Sequence, residues 1–197
     1  MRTGISLYMG SGLATNIQII DKAHAAGASF AFTSLQIPEE TDIDQASETR
    51  RLLQLCREAN LNLIADISPR TLAKLGYSSL SELKGTGIDY VRLDFGFSAA
   101  ETVELSHDFH VVFNASTISK QDILAWRSAG ADFTRFAACH NYYPKPLTGL
   151  SIERVANINR GLSELGFTTM AFIPGDKTLR GPLYEGLPTV EAHRGDT

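Results

Sequence analysis

Tyr90-Val91-Arg92-Leu93-Asp94-Phe95-Gly96 is the stretch that decides the fold. Alternation along it is strict. Tyr90, Arg92 and Asp94 fall on one face of a strand, Val91, Leu93 and Phe95 on the other. The apolar face suits packing against helices. The opposite face carries an ionisable pair at the strand's carboxyl end, where chemistry gathers in parallel α/β proteins. Other strand-like stretches end in the same way: Ser34 before Ile37-Pro38-Glu39-Glu40, Asp66 before Ser68-Pro69-Arg70, Asn114, and Cys139-His140-Asn141. Polar groups at so many strand ends predict a pocket.

Working outward, strands are expected at Gly4 to Tyr8, Phe30 to Ser34, Leu61 to Asp66, around Tyr90, Phe109 to Asn114, Phe133 to Cys139 and Thr168 to Ile173. Helical patterns lie between them. One runs from about Asn16 with Ile17, Ile20 and Ala23 on a face, and stops at Gly27. A second starts near Thr41 or Asp42 and carries Ala46, Leu52, Leu53 and Cys56. A short one starts at Arg70. Ser119 with Asp122 opens another, bearing Ile123, Leu124 and Trp126 and ending at Gly130. Ser151 caps the last, with Val155, Ile158, Leu162 and Leu165 before Gly166.

Strand alternating with helix means a parallel sheet. The fold expected is a (β/α)8 TIM barrel. About seven βα units fit in the 197 residues, with the last strand missing, whereas a complete barrel is typically ~250 residues. An open seven-stranded barrel would leave unpaired edges. Residues 1–197 are therefore expected to be one barrel domain cut from a longer protein. The runner-up is a doubly wound open sheet. It is disfavoured because the polar residues spread over nearly every strand end.

Hydrophobic residues make up 43% and charged residues 20% of the chain, as in an ordinary globular protein. The net charge of -4 gives no basic field for nucleic acid or anionic lipid. With only Cys56 and Cys139, far apart in sequence, no disulfide framework is expected and a reducing compartment fits. The sequence shows no signal peptide pattern and no long apolar span, so a cytoplasmic location is expected. A homodimer is compatible with this composition.

Asp94 is the first catalytic candidate, as a rim carboxylate able to act as nucleophile, acid or base. The alternative is a structural ion pair with Arg92 or Arg135. Asp66 stands in the same position, serving chemistry or pairing with Arg92. His140-Asn141-Tyr142-Tyr143-Pro144-Lys145 combines an imidazole, an amide, aromatic faces and a cation, which suits a polar ring-shaped ligand. The stretch after the seventh strand offers Asp176, Arg180, Tyr184 and Glu185 among turn-setting Gly and Pro. His107 and His110 precede the fifth strand, at the wrong end for a site, and His24 reads as a solvated helical residue. No metal-ligand motif occurs and no cofactor is implied. Gly10-Ser11-Gly12 lacks the third glycine of a dinucleotide loop. Asn114-Ala115-Ser116 fits a glycosylation sequon, which a cytoplasmic location would leave unused.

Several stretches in order resemble the bacterial 6-phospho-N-acetylmuramidase family. They are Gly4 to Tyr8, Phe32 to Leu35 with Ile37-Pro38-Glu39-Glu40, Ala65-Asp66-Ile67-Ser68-Pro69-Arg70, Arg92-Leu93-Asp94-Phe95-Gly96, Asn114-Ala115-Ser116-Thr117, Ala138 to Pro144, and the run from Phe172 through Gly175-Asp176 to Glu191. The resemblance covers essentially the whole chain. It implies a TIM-barrel glycosidase with a C-terminal cyclophilin-like domain, absent from this sequence. The implied activity is hydrolysis of the β-1,4 bond of N-acetylmuramic acid 6-phosphate–N-acetylglucosamine in peptidoglycan recycling. The implied partner is that phosphorylated disaccharide, met in the cytoplasm after phosphorylating uptake.

Two carboxylates would then flank the bond, one protonating the leaving oxygen and one attacking the sugar or activating water. Asp94 and Glu185 are the first pair, Asp66 and Asp176 the reserves. Acid and nucleophile are not distinguished, and the substrate's own acetamido group is a third route. Arg92, Arg180, Lys145 and Arg70 are candidates for the phosphate and lactyl carboxylate. Asn114, Asn141, His140 and Ser34 would hold hydroxyl or acetamido groups, and Tyr143 or Tyr184 would stack on a sugar face. The rival readings are a sugar-phosphate lyase or isomerase and a non-catalytic carbohydrate-binding module.

Overall fold

The computed structural model describes residues 1–35, 45–67, 77–93, 96–141 and 150–172. The chain divides into two compact units, Met1–Gly96 and Phe97–Thr197.

The first unit holds β1 (Gly4–Leu7), α1 (Leu13–Ala25), β2 (Phe30–Ser34), α2 (Gln45–Glu58), β3 (Asn62–Ile67) and β4 (Ile88–Leu93). The strands are parallel and lie in sequence order, β1 on β2, β2 on β3, β3 on β4. Both common doubly wound orders place β1 between two strands; here β3 lies between β2 and β4, the sequential order of a barrel. One sheet face is covered by helices. Leu7, Ala31, Thr33, Leu63, Ala65, Ile67, Val91 and Leu93 are buried there, with α1 packed on β1 and α2 on β3. The face that alternates with it carries Phe32, Ser34, Asp66, Tyr90 and Arg92.

α1 begins three residues earlier than the sequence suggests. Gly12 sits at φ 76° and opens the helix, and Asn16 falls inside it. Asn16 Nδ2 donates to the Tyr8 carbonyl at 3.0 Å, tying the helix back to the end of β1. α2 buries Leu52, Leu53 and Cys56, as the spacing predicts. Its expected start near Thr41 or Asp42, and the short helix expected from Arg70, lie outside the described residues.

Burial pushes the Cys56 thiol up to about 12, and the nearby Asp89 carboxylate adds to the effect. Thiolate is the reactive form, so this cysteine is inert in the fold. With Cys139 also buried, native chain at pH 8 is expected to show no fast reaction with a disulfide thiol reagent. Denatured chain should titrate two thiols. A thiol that reacts at once in native protein would contradict this packing.

The second unit holds α3 (Ala99–Ser106), β5 (His110–Asn114), α4 (Lys120–Ser128), β6 (Phe136–His140), α5 (Ile152–Glu164) and β7 (Thr168–Ala171). β5, β6 and β7 are parallel and again in sequence order. The sequence reading left out α3. Its signal is a capping box: the Glu101 amide donates to Ser98 Oγ at 3.3 Å, and the Ser98 amide donates to the Glu101 carboxylate at 2.7 Å. The Ser98 hydroxyl also donates to that carboxylate at 2.7 Å, and this bond, with the one from the Ser98 amide, holds the Glu101 carboxyl below its usual value. Ser119 and Asp122 form the same box on α4, as expected.

The sixth strand starts later than read. Thr134 donates to the Asp132 carboxylate through its amide at 2.9 Å and its hydroxyl at 2.7 Å. That bends Phe133–Arg135 into a 3-10 turn, and the strand opens only at Phe136. One face of this sheet is an aromatic core of Phe113, Trp126, Phe133, Phe136 and Phe167. Seven parallel strands alternating with helices are thus described, the α/β arrangement of a TIM barrel short of one unit. Among the described residues no helix is long and apolar enough to cross a membrane.

Candidate active site

In the first unit the sheet brings three of the sequence candidates side by side. Ser34 is the register partner of Asp66, and Asp66 of Arg92, at the carboxyl ends of β2, β3 and β4. Ser34 Oγ donates to Asp66 Oδ2 at 3.2 Å. Arg92 Nη1 stands 3.9 Å from the same oxygen, and the two side chains are 8% and 14% exposed. The Arg92 guanidinium carbon also lies 5.8 Å from the centre of the Phe32 ring. The pairing of Asp66 with Arg92, one of the two sequence readings of Asp66, is therefore present.

This row depends on a residue that the sequence reading passed over. Leu63 pairs with Ile88, but Ile64 pairs with Tyr90, so β4 holds one extra residue at that point. The extra residue is Asp89, whose Oδ2 accepts from the Leu63 amide at 2.9 Å in place of a ladder carbonyl. Without the slip, Asp66 would face Val91, and Arg92 would fall one place further on. A one-residue shift changes which side chains share a face. Replacing Asp89 with Asn keeps an acceptor and should leave stability near wild type. Asp89→Leu removes the acceptor and should cost about 1–3 kcal/mol in urea unfolding. Equal stability of the two variants would show that the bond does not hold the register.

In the second unit, Asn114 ends β5 and is the register partner of Cys139. Its Oδ1 accepts from the Ser116 amide at 3.1 Å and from Ser116 Oγ at 2.8 Å, so the side chain braces the turn that follows. Asn141, half-buried, follows directly after β6. His140 lies on the other face. Alternation places it with Phe136 and Ala138, and it is 0% exposed. Its Nε2 is 2.9 Å from Asn159 Oδ1 on α5. This ring ties β6 to a helix rather than opening onto the Asn114–Cys139 face.

Asn159 is a second residue missed from sequence. It sits at the helical spacing of Val155 and Leu162, where an apolar side chain would be expected, and that was its signal. Asn159→Leu should leave the buried His140 nitrogen unpaired and cost about 1–3 kcal/mol. Thermal unfolding within error of wild type would contradict that role. His110, expected away from a site, opens β5 at its amino end and stands 3.4 Å from Arg135 Nη1. His24 Nδ1 is 2.8 Å from the Ala59 carbonyl.

Asp94, Asp176, Glu185, Arg70, Tyr143, Lys145, Arg180 and Tyr184 lie outside the described residues. The described candidates are therefore, in the first unit, a carboxylate, a hydroxyl and a guanidinium in one row, and, in the second unit taken by itself, an amide at the end of β5.

Comparison with known proteins adds a family. A conserved protein of unknown function from Enterococcus faecalis has a crystal structure similar to this chain at 35% identity, with a TM-score of 0.86 over 99% of the chain. An uncharacterised B. cereus protein is similar at 26% identity, with a TM-score of 0.78 over 98% of the chain. The chain spans 55% and 54% of the length of these two proteins. A β-mannanase from Thermomonospora fusca, seen in a mannotriose complex, shares the fold at 10% identity, with a TM-score of 0.58 over 87% of the chain and 68% of the mannanase. No curated protein sequence matches the chain. The model described as 6-phospho-N-acetylmuramidase, N-terminal, matches residues 3–197, so the chain belongs to the 6-phospho-N-acetylmuramidase family.

Proposed function

We propose that this chain is the barrel part of a glycoside hydrolase acting on N-acetylmuramic acid 6-phosphate–N-acetylglucosamine, releasing N-acetylglucosamine in peptidoglycan recycling. The observation that carries this reading is the family match over residues 3–197. The Ser34–Asp66–Arg92 row supports it, since it sets a carboxylate at the strand ends where barrel chemistry is built. Such a hydrolysis ordinarily uses two carboxyl groups around the bond, one of which only orients the acetamido group in the substrate-assisted route. Asp94 and Glu185 remain the proposed pair, with Asp66 and Asp176 as reserves. Arg70, Lys145 and Arg180 are the proposed anion ligands, while Asn114 and Asn141 would hold hydroxyl or acetamido groups. Tyr143 and Tyr184 would stack on a sugar ring. The substrate is a phosphorylated disaccharide made on uptake, so the proposed place of action is the cytoplasm.

The test is incubation of the chain with the phosphorylated disaccharide, with products read by mass spectrometry. Release of free N-acetylglucosamine and N-acetylmuramic acid 6-phosphate is expected. An unsaturated product would favour a lyase instead. Binding without turnover would favour a carbohydrate-binding module.

A further inference from the structure

We propose that Asp66 acts as a standing carboxylate anion of the site, that Ser34 and Arg92 are the residues positioning it, and that Arg92 is not the ligand for the substrate's phosphate. This rests on the glycosidase reading above.

The geometry carries the argument. One oxygen of Asp66 receives both partners: Ser34 Oγ at 3.2 Å and Arg92 Nη1 at 3.9 Å. A hydroxyl donor and a cation aimed at the same oxygen favour the charged form of a carboxyl group. A general acid must arrive protonated, so Asp66 is ill placed to protonate the leaving oxygen. The role assigned to it is the negative charge that stabilises the sugar ring as it becomes cationic when the glycosidic bond breaks.

Arg92 is committed in the same arrangement. It is only 6% exposed, and the Phe32 ring lies near its guanidinium. A phosphate group is a bulky dianion that needs several converging donors and room to reach them. Here it would also meet the negative charge of Asp66. The bulge at Asp89 is what brings Arg92 into register with Asp66, so the backbone is arranged to make this pair.

The experiment measures kcat and KM of wild type, Ser34→Ala, Arg92→Met and Arg92→Lys. Each is assayed on the phosphorylated disaccharide and on the same disaccharide without phosphate. Ser34→Ala should lower kcat by about tenfold or more, the loss of one hydrogen bond to a charged group, with KM little changed. Arg92→Met should lower kcat further, and Arg92→Lys should recover part of it. In all three the preference for the phosphorylated substrate should match wild type. Ser34→Ala is the mild change that keeps the test decisive should Arg92→Met fail to fold. A raised KM with lost phosphate preference in an Arg92 variant would overturn the inference. So would a Ser34→Ala variant with wild-type kcat. Wild-type chain that releases no N-acetylglucosamine would overturn the glycosidase reading itself, and this inference with it.

Discussion

Asp94→Asn is expected to lower N-acetylglucosamine release by about 10²–10⁴-fold while leaving affinity for the phosphorylated disaccharide largely intact. Asparagine has nearly the size of aspartate but neither gives up a proton nor carries a charge. A residue that acts on the reacting atoms loses kcat under that change; a residue that anchors the ligand loses binding. Asp94 lies outside the described residues; the sequence alone, two residues on from Arg92, gives the expectation of a shared face, and Arg92 stands in the row with Ser34 and Asp66. Asp66→Asn should give a loss of the same order, because an amide cannot supply the anion. The two carboxyl groups would then differ in their roles. Affinity and turnover falling together in Asp94→Asn would identify a ligand anchor and leave the acid to be sought at Glu185 or Asp176.

Phe136→Ala is expected to have the largest effect on stability, about 3–5 kcal/mol in chemical unfolding. Phe136 is 1% exposed and sits at the centre of the second unit's aromatic core. Its ring centre lies 5.1 Å from Phe113, 5.5 Å from Trp126, 5.8 Å from Phe133 and 5.6 Å from Phe167. Several of these pairs meet edge to face, the arrangement that ring quadrupoles favour. Truncation to alanine removes the hub and leaves a cavity among rings held on β5, α4, the Phe133–Arg135 turn and the residue before β7. Phe136→Leu keeps most of the volume and should cost much less. A loss below about 1 kcal/mol for the alanine variant would mean that the core can collapse around the gap.

The barrel order was legible because it rests on simple periodicities. Apolar residues every second position on strands and at helical spacing between them are local signals, and the strand ends at Ser34, Asp66, Arg92 and Asn114 followed directly. Which of those ends stand side by side was not legible. That depends on register, and the register of β3 and β4 turns on one bond from the Leu63 amide to the Asp89 carboxylate. Nothing in the local pattern around Asp89 marks it as the acceptor of that bond. The orientation of His140 failed for a similar reason. Reading the sixth strand from Phe133 to Cys139 puts His140 in a loop. Once Asp132 bends Phe133–Arg135 into a turn, the strand runs Phe136–His140, and alternation sends the imidazole to the aromatic face with Asn159. α3 escaped because it is short, although Ser98 and Glu101 mark its start.

The most direct test of the central claim is cleavage of N-acetylmuramic acid 6-phosphate–N-acetylglucosamine in water enriched in oxygen-18, read by mass spectrometry within the first turnovers. Hydrolysis predicts one heavy oxygen in N-acetylmuramic acid 6-phosphate and none in the released N-acetylglucosamine. Cleavage with no heavy oxygen in either product, or an unsaturated product, would contradict a glycoside hydrolase.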